Sequence, residues 1–584
     1  MWYGESQFKP SVAVEDVRLV HIGRAALAAI AALAAASCAR TVADNTEVAY
    51  ESRDFGSYIA GLHARYSRDT ESAAQFYLDA LKKDPNNGVL LRRAFSLLVT
   101  DGQYRQAVVL ARRIVASSPR SSLANMILVI EHFRKDEYEA ARKRLVNITG
   151  SGFDALMRPL MAGWAHAGEG DGAKALESLE PLGASPAFAH YGSTHAAYIP
   201  QYLEDYAAAE EAYEALLAET PLKTVLPALA YAALLAEQGR WTDAQMLLDE
   251  LAEDFPSNRR IAADRSRVRA REVPKSRLGE PRLALSEALV QAAAELMSDN
   301  ARAPALLYAR LGSFMAPEND DAYLLLGNLL SIDGHERAAL TALRQIDRDS
   351  DLYLQSKLRE AWVLDGMEQS DAAITVLEDY LVAHPGNPEI HTSLGDIHRA
   401  NNDFEAAAEQ YTLAIAATPA PVENDWFLFF VRGISYERLK RWDNAEADFF
   451  KALLLKPEQP QVLNYLGYSW IDRGENFEQA RQMIERAVEL RPNDGYIVDS
   501  LGWVHYLTGN YEEAVKQLER AVLLQPNDPT INEHLGDAYW KIGRRIEARY
   551  QWRHALVLDP EPEQLASLKD KVEFGLVLAE AGGN

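Results

Sequence analysis

Residues 498–526 read VDSLGWVHYLTGNYEEAVKQLERAVLLQP and hold the clearest structural pattern in the chain. Leu501 and Val504 are spaced to share one face of a helix. Gly502 lies between them and lets a second helix approach its backbone, which must offset the ~1 kcal/mol that glycine costs inside a helix. Gly509 is suited to end the first helix, and Pro526 to end the second. The stretch therefore predicts a hairpin of two short helices.

The same pattern returns about every 34 residues along most of the chain. Each copy has an anchor at the place of Gly502, an alanine about 12 residues later and, in most copies, a proline about 24 residues after the anchor. The anchors are Gly61, Phe95, Val129, Gly163, Ala197, Ala232, Ala293, Gly327, Ala361, Gly395, Gly433, Gly467, Gly502 and Gly536. This period is typical of a solenoid, in which each unit packs on its neighbours. The sequence thus predicts an all-α fold of about 14 helical hairpins.

The quoted stretch resembles the consensus of the tetratricopeptide repeat (TPR) family. Six residues occupy consensus positions: Leu501, Gly502, Tyr511, Ala514, Ala521 and Pro526. The copies anchored at Gly467 and Gly536 repeat the match. The resemblance implies a right-handed superhelical solenoid in which the first helix of each hairpin lines a concave groove.

The repeat spacing breaks between Ala232 and Ala293. We therefore expect an N-terminal array at 51–256, a linker at 257–283, a C-terminal array at 284–561, and a capping helix with a tail at 562–584. The linker is basic within an acidic chain and includes Arg259, Arg260, Arg265, Arg267, Arg269 and Arg271. Two interpretations stay open: these arginines neutralise nearby acidic helix faces, or they form a docking patch for an acidic partner or anionic headgroups.

Residues 1–37 have the pattern of a secretory signal peptide. Arg18 and Arg24 precede an uncharged, alanine-rich run, and Cys38, the only cysteine, follows it. The tetrapeptide at 35–38 resembles a bacterial lipobox, which implies lipidation of Cys38, a membrane attachment through that lipid and a tether at 38–50. We therefore expect an outer-membrane lipoprotein that faces the periplasm. An ordinary signal or a membrane anchor, with Cys38 as an inert thiol, is the alternative.

Composition and motifs limit the function. The formal charge of −25 repels nucleic acid, so we expect no nucleic-acid partner. The sequence contains no His-Glu-x-x-His motif, no Gly-x-Ser-x-Gly elbow and no phosphate-binding glycine loop. We therefore expect no catalytic residues, metal, cofactor or small-molecule substrate, and a role in binding proteins.

In the TPR family, groove-lining positions lie three residues before each anchor and one and four residues after it. In the last three repeats they give Ile471 and eight candidate partner-binding residues: Asn464, Tyr468, Asp499, Trp503, Tyr506, Glu533, Asp537 and Trp540. Their aromatic members have two interpretations. They pack between helices, or they form an aromatic floor with acidic neighbours that suits a segment with apolar and basic residues.

The resemblance implies a non-catalytic scaffold that binds partner proteins at the cell envelope. The layout of residues 287–310, with the repeats at 499–503 and 535–540, is also similar to long periplasmic repeat lipoproteins that bind and activate carboxy-terminal processing proteases. That similarity implies a periplasmic serine protease as partner. Two alternatives stay open: an assembly or pilot lipoprotein for an outer-membrane secretion or glycan-export machine, and an enzyme with an unrecognised site.

Overall fold

The computed structural model describes residues 55–67, 69–149, 152–219, 225–256, 258–274, 280–299, 301–418 and 420–576. Regular secondary structure in these ranges is entirely helical, with thirty α-helices and a short 3-10 helix at Glu423–Asp425. The all-α fold class predicted from the repeat is therefore confirmed. The expected signal peptide, Cys38 and the tether lie outside these ranges, as does the end of the expected tail.

Backbone contacts group the chain into two compact units, one ending at Ala373 and the other beginning at Ile374. Unit 1 contains α1 (Phe55–Tyr66), α2 (Thr70–Lys83), α3 (Gly88–Asp101), α4 (Tyr104–Ser117), α5 (Ser122–Phe133), α6 (Tyr138–Leu145), α7 (Phe153–Gly168), α8 (Gly172–Gly183), α9 (Ala189–Tyr202), α10 (Tyr206–Glu219), α11 (Val225–Glu237), α12 (Trp241–Asp254), α13 (Arg259–Arg269), α14 (Pro281–Ser298), α15 (Arg302–Met315), α16 (Asp320–Ile332), α17 (Glu336–Leu343) and α18 (Tyr353–Gly366).

The unit boundary falls within α19 (Ser370–Ala383). Unit 2 then contains α20 (Pro388–Ala400), α21 (Phe404–Ala416), α22 (Trp426–Arg438), α23 (Trp442–Leu455), α24 (Pro460–Asp472), α25 (Phe477–Leu490), α26 (Gly495–Leu507), α27 (Tyr511–Leu524), α28 (Pro529–Lys541), α29 (Arg545–Val557) and α30 (Pro562–Phe574).

Consecutive helices form hairpins throughout the described ranges. Six pairs run from α1–α2 to α11–α12, and seven more are α14–α15, α16–α17, α20–α21, α22–α23, α24–α25, α26–α27 and α28–α29; α13 lies between the two groups, and α30 follows the last pair. With α18 and α19, the consecutive helices that carry the copy anchored at Ala361, the helix count agrees with the fourteen copies of the repeat. The expected basic linker at 257–283 contains the single helix α13 and lies inside unit 1.

Anchor glycines bring the two helices of a hairpin together. A Cβ added to Gly502 would lie 2.6 Å from the Cγ of Leu518, sixteen residues later. Gly395 meets Tyr411 in the same way, and Gly433 meets Phe449, each at 2.6 Å. The missing side chain at the anchor thus makes room for a large buried side chain of the second helix, as the sequence predicted for Gly502.

First helices are also capped in a repeated manner. The Asp528 carboxylate accepts hydrogen bonds from the backbone N–H groups of Thr530 and Ile531 at the start of α28. The Asn532 side chain donates to the backbone carbonyls of Asp528 and Pro526, at 2.7 and 3.1 Å. The cap satisfies amides at the helix start, and Asn532 holds the preceding proline turn against the helix.

One arrangement in unit 1 departs from neighbour-only packing. Helix α15 contacts α3 and α5, while α14 contacts α7 and α9, and all four are first helices of N-terminal hairpins. The rings of Tyr308 and Phe153 stack with centroids 3.6 Å apart, and Arg134 donates to the carbonyl of Phe314 at 2.9 Å. Helices α14 and α15 therefore cover the side of the N-terminal hairpins that the TPR resemblance assigns to a groove.

Candidate partner-binding surfaces

The eight residues predicted to line a groove lie on three first helices, α24, α26 and α28. The structure separates them by chemistry. The polar members Asn464, Asp499, Glu533 and Asp537 are buried, with exposed fractions of 0–8%. Among the aromatic members, Tyr468, Trp503, Tyr506 and Trp540 are partly exposed. The acidic side chains that the aromatic-floor interpretation includes are therefore buried within unit 2.

Helix α30 covers two of these acids. The Lys571 ammonium donates to Glu533 at 2.6 Å and to Asp537 at 2.7 Å. Glu533 also accepts from the Gln564 amide at 3.0 Å, and Asp537 accepts from the Trp552 indole at 2.8 Å. Burial raises the pKa of Asp537, against the opposing charge of Lys571. The expected capping helix thus carries a cation into the face of the last repeat.

A histidine pairs with the third acid. His534 lies 3.0 Å through its Nδ1 from both carboxylate oxygens of Asp499. Burial disfavours charge on His534, but the carboxylates of Asp499, Glu533 and Asp537 together outweigh burial and raise the pKa of His534. The Trp503 ring stacks on the other side of this pair, with its centroid 3.9 Å from that of His534. The Asp499 carboxylate is therefore paired with a residue of the same chain, His534.

The candidate side chains that stay partly exposed on these helices are aromatic. Trp503 and Tyr506 stack with centroids 4.6 Å apart and planes within 8°. Tyr468 occupies the position of Trp503 on the preceding first helix, one residue after its anchor, and α24 contacts α26. We call Tyr468, Trp503 and Tyr506 the aromatic run. Rings of this kind, half-buried and held by packing, are the side chains that most often anchor protein partners.

Trp540 is not part of this run because other residues cover it. Its ring packs against Trp552 at 5.4 Å, and the guanidinium groups of Arg545 and Arg549 lie 5.2 and 5.4 Å from its centroid. Gly575 lies so close that an added Cβ would be 2.2 Å from the Trp540 ring. Trp540 therefore serves the packing of the chain end.

The six arginines predicted as a basic patch lie on or just after α13, and most have intramolecular partners. Arg267 pairs with Asp264 at 2.8 Å and with Asp351 at 2.7 Å, and Asp351 is the largest cause of its raised pKa. Arg260 pairs with Asp321, while Arg265 and Arg269 share Asp249, at 2.5 and 3.3 Å. Arg259 begins the helix, and Arg271 follows its end, exposed and with a φ of 58°. The carboxylates of neighbouring segments thus compensate much of the positive charge.

In the ranges that the structure describes, no group of three or more His, Cys, Asp or Glu side chains is arranged to hold a metal ion. Across the same ranges, none of the helices has the length and apolar character needed to cross a bilayer.

Sequence reasoning missed that α14 and α15 pack on the N-terminal first helices. One signal was present: residues 281–298 carry apolar side chains on all sides of the helix, which indicates burial on more than one face. The residues that make the contact, including Tyr308 and Phe153, have no motif of their own. Surfaces for a partner must therefore lie on parts of the chain that α14 and α15 do not cover.

Comparisons with known proteins agree with the repeat. A "Tetratricopeptide repeat" family model matches residues 358–420 and 430–495, and a "TPR repeat" model matches residues 502–543. A TPR repeat-containing protein of Pseudomonas aeruginosa is 29% identical over 193 residues. That match spans 32% of this chain and 32% of the relative's own length.

Several solved structures are similar to this chain, and one is the APC/C hetero-tetramer Cut9–Hcn1. The comparison gives a TM-score of 0.37 and 15% identity, and it covers 90% of this chain and 97% of that one. Yeast Tom70 gives a TM-score of 0.30, 13% identity and coverage of 91% and 97%. YrrB, described as a TPR protein with an unusual peptide-binding site, gives 0.26, 18% and coverage of 33% and 97%. The family matches and the hairpin packing identify the repeats at 358–420, 430–495 and 502–543 as tetratricopeptide repeats.

Proposed function

We propose that this protein is a non-catalytic TPR adaptor lipoprotein that binds partner proteins at the cell envelope. The observation that carries the proposal is the aromatic run on the first helices of the C-terminal repeats. Trp503 and Tyr506 are held in place by stacking, so little side-chain entropy is lost when a partner packs on them. TPR proteins bind protein partners, and this run is the surface we assign to that role.

The envelope location is the finer part of the proposal and rests on the N-terminal sequence. Lipidation of Cys38 would tether the repeats to the outer membrane, on its periplasmic side. There the adaptor would recruit and activate a carboxy-terminal processing protease, a role supported by the layout similarity of residues 287–310 and of the last repeats. The partner in this proposal is therefore a periplasmic serine protease.

Affinity capture tests the proposal. The mature protein is recovered from detergent-solubilised envelopes as wild type, as Trp503→Ala with Tyr506→Ala, and as Tyr550→Ala. Tyr550 is a matched control because it is an aromatic residue on α29 that is 70% exposed. We expect wild type and control to recover a serine protease and the double variant to lose it. Purified wild type should also increase the rate at which that protease cleaves its substrate.

Three results would count against parts of the proposal. Equal protease recovery by all three proteins would show that the aromatic run does not bind the protease. Recovery of an outer-membrane channel in place of a protease would favour the assembly-lipoprotein alternative. Retention of Cys38→Ser in the membrane fraction, at wild-type level, would remove the lipid anchor.

A further inference from the structure

A cavity of about 290 Å³ lies in unit 1, lined by residues of α9, α11, α13 and α14, of the turn that leads into α16 and of the turn before α18. Its floor is apolar and includes Leu226, Leu229, Ala230 and Ala233 of α11. Ligand sites typically measure ~300–1,000 Å³, so this cavity lies at the small end of that range. It has room for one or two side chains and not for a folded domain.

The walls of the cavity are strongly acidic. Six carboxylates and two guanidinium groups line it, which gives a formal charge of −4. Both guanidinium groups, of Arg260 and Arg267, already pair with carboxylates of the same chain. Glu287, Asp320 and Asp349 line the cavity and make no ion pair with any residue that the structure describes. The sequence pointed to a basic patch in this region, whereas the cavity beside those arginines offers negative charge.

The apolar floor and the acidic walls together favour a ligand group that has an apolar stem and a positive charge. Carboxylates beside an apolar surface attract a cation more strongly than carboxylates in open water, because the effective dielectric constant is lower. A lysine or arginine side chain has an apolar stem and a charged head, so it can cover the α11 floor while its head meets the wall. We infer that this cavity binds a lysine or arginine side chain presented by a segment of a partner polypeptide.

This inference does not depend on the aromatic run. The cavity lies in unit 1 and the run in unit 2, so substitutions at one leave the residues of the other unchanged. Loss of binding at the run would leave the cavity inference intact, and the reverse also holds.

Fluorescence anisotropy with defined peptides tests the inference on the full mature protein. The probes are fluorescein-labelled nonapeptides of alanine and leucine whose central residue is lysine, methionine or glutamate. The protein is used as wild type, as Glu287→Gln with Asp349→Asn, and as Glu253→Gln. Glu253 is a matched control because it is an exposed carboxylate on α12, outside the cavity. Thermal melting of each variant verifies that it folds.

We expect the lysine peptide to bind wild type and control at least tenfold more tightly than the methionine peptide, and the glutamate peptide to bind more weakly still. The double variant should lose roughly tenfold in affinity for the lysine peptide, and raising salt from about 0.05 M to about 0.5 M should weaken binding to wild type. Equal affinity for the three peptides, or an unchanged affinity in the folded double variant, would overturn the inference. Binding of free spermidine without binding of the lysine peptide would also overturn it, because the cavity would then take small polyamines.

Discussion

Arg310 donates its Nε to the backbone carbonyl of Thr100 at 3.2 Å, across 210 positions of sequence. The guanidinium is buried, and burial lowers the pKa of Arg310 to about 10. In a simple solenoid each repeat contacts only its neighbours. Here α15 returns to the second N-terminal hairpin, so unit 1 is closed by contacts that a linear array lacks. The N-terminal first helices are consequently occupied by the chain itself.

Replacing Lys571 tests the cap. Lys571→Met should destabilise the C-terminal end by ~3–5 kcal/mol, because Glu533 and Asp537 would be left buried without their cation. Lys569→Met is the control, since Lys569 is exposed on the same helix. Hydrogen exchange of α28 and α30 reports the local change.

Asp537→Asn in the Lys571→Met background should recover part of that loss, because it removes one of the two orphaned charges. Equal exchange rates in Lys571→Met and Lys569→Met would contradict the assigned role of Lys571.

The His534–Asp499 pair should make stability depend on pH. The pKa of His534 is raised in the folded protein, so the pair stabilises fully below the unfolded value of about 6.5. That contribution is lost as pH rises through the folded pKa, at up to about 1.4 kcal/mol per pH unit. The groups that face His534, Asp499, Glu533 and Asp537, are acidic and act in the same direction.

The measurement is hydrogen exchange of α26 and α28 between pH 6 and pH 9, corrected for the intrinsic exchange rate, in wild type and His534→Gln. The stability difference between the two should shrink as pH rises. A difference that stays constant over this range would show that His534 is not charged in the folded protein.

Filling an anchor glycine should be costly. Gly502→Ala puts a methyl group within 2.6 Å of Leu518, and overpacking of this kind costs ~1–3 kcal/mol, partly offset by the better helix propensity of alanine. Gly366→Ala is the control, because a Cβ there meets nothing within 4 Å and should be neutral or stabilising. Urea unfolding of five proteins measures the effect: wild type, Gly502→Ala, Gly366→Ala, Leu518→Ala and the double variant Gly502→Ala/Leu518→Ala. The double variant should lose less than the sum of its single changes; additive losses would contradict the contact.

The repeat was predictable from the sequence because the anchor of each copy and a residue a short distance along the chain have complementary sizes. A glycine anchor pairs with a large residue sixteen positions later, as Gly502 does with Leu518. The copy anchored at Phe95 exchanges the roles: Phe95 is buried and the residue sixteen positions later is Ala111, also buried. An irregular anchor therefore still belongs to the pattern once both positions are read together.

The site was less predictable because its contacts cross large sequence separations. The candidate groove residues lie on first helices, but nothing local in the sequence indicated that Lys571 would reach Glu533 and Asp537. Likewise, Arg267 pairs with Asp351, which is 84 positions away in the sequence. Asp351 lies outside residues 257–283, so the charges of that segment alone could not show the pair. The charge pattern of residues 257–283 therefore gave the excess of arginine but not the carboxylates that pair with it.

Helices α14 and α15 lie on the N-terminal first helices, which leaves the cavity and the aromatic run for partners. A photoreactive benzoylphenylalanine at Tyr308, followed by irradiation and mass spectrometry of the digest, tests this packing. We predict an intramolecular cross-link to the peptide that contains Phe153, and none to that peptide from the same group placed at the exposed Tyr550. Cross-links from position 308 only to residues of α14–α17, or only between molecules, would contradict the account.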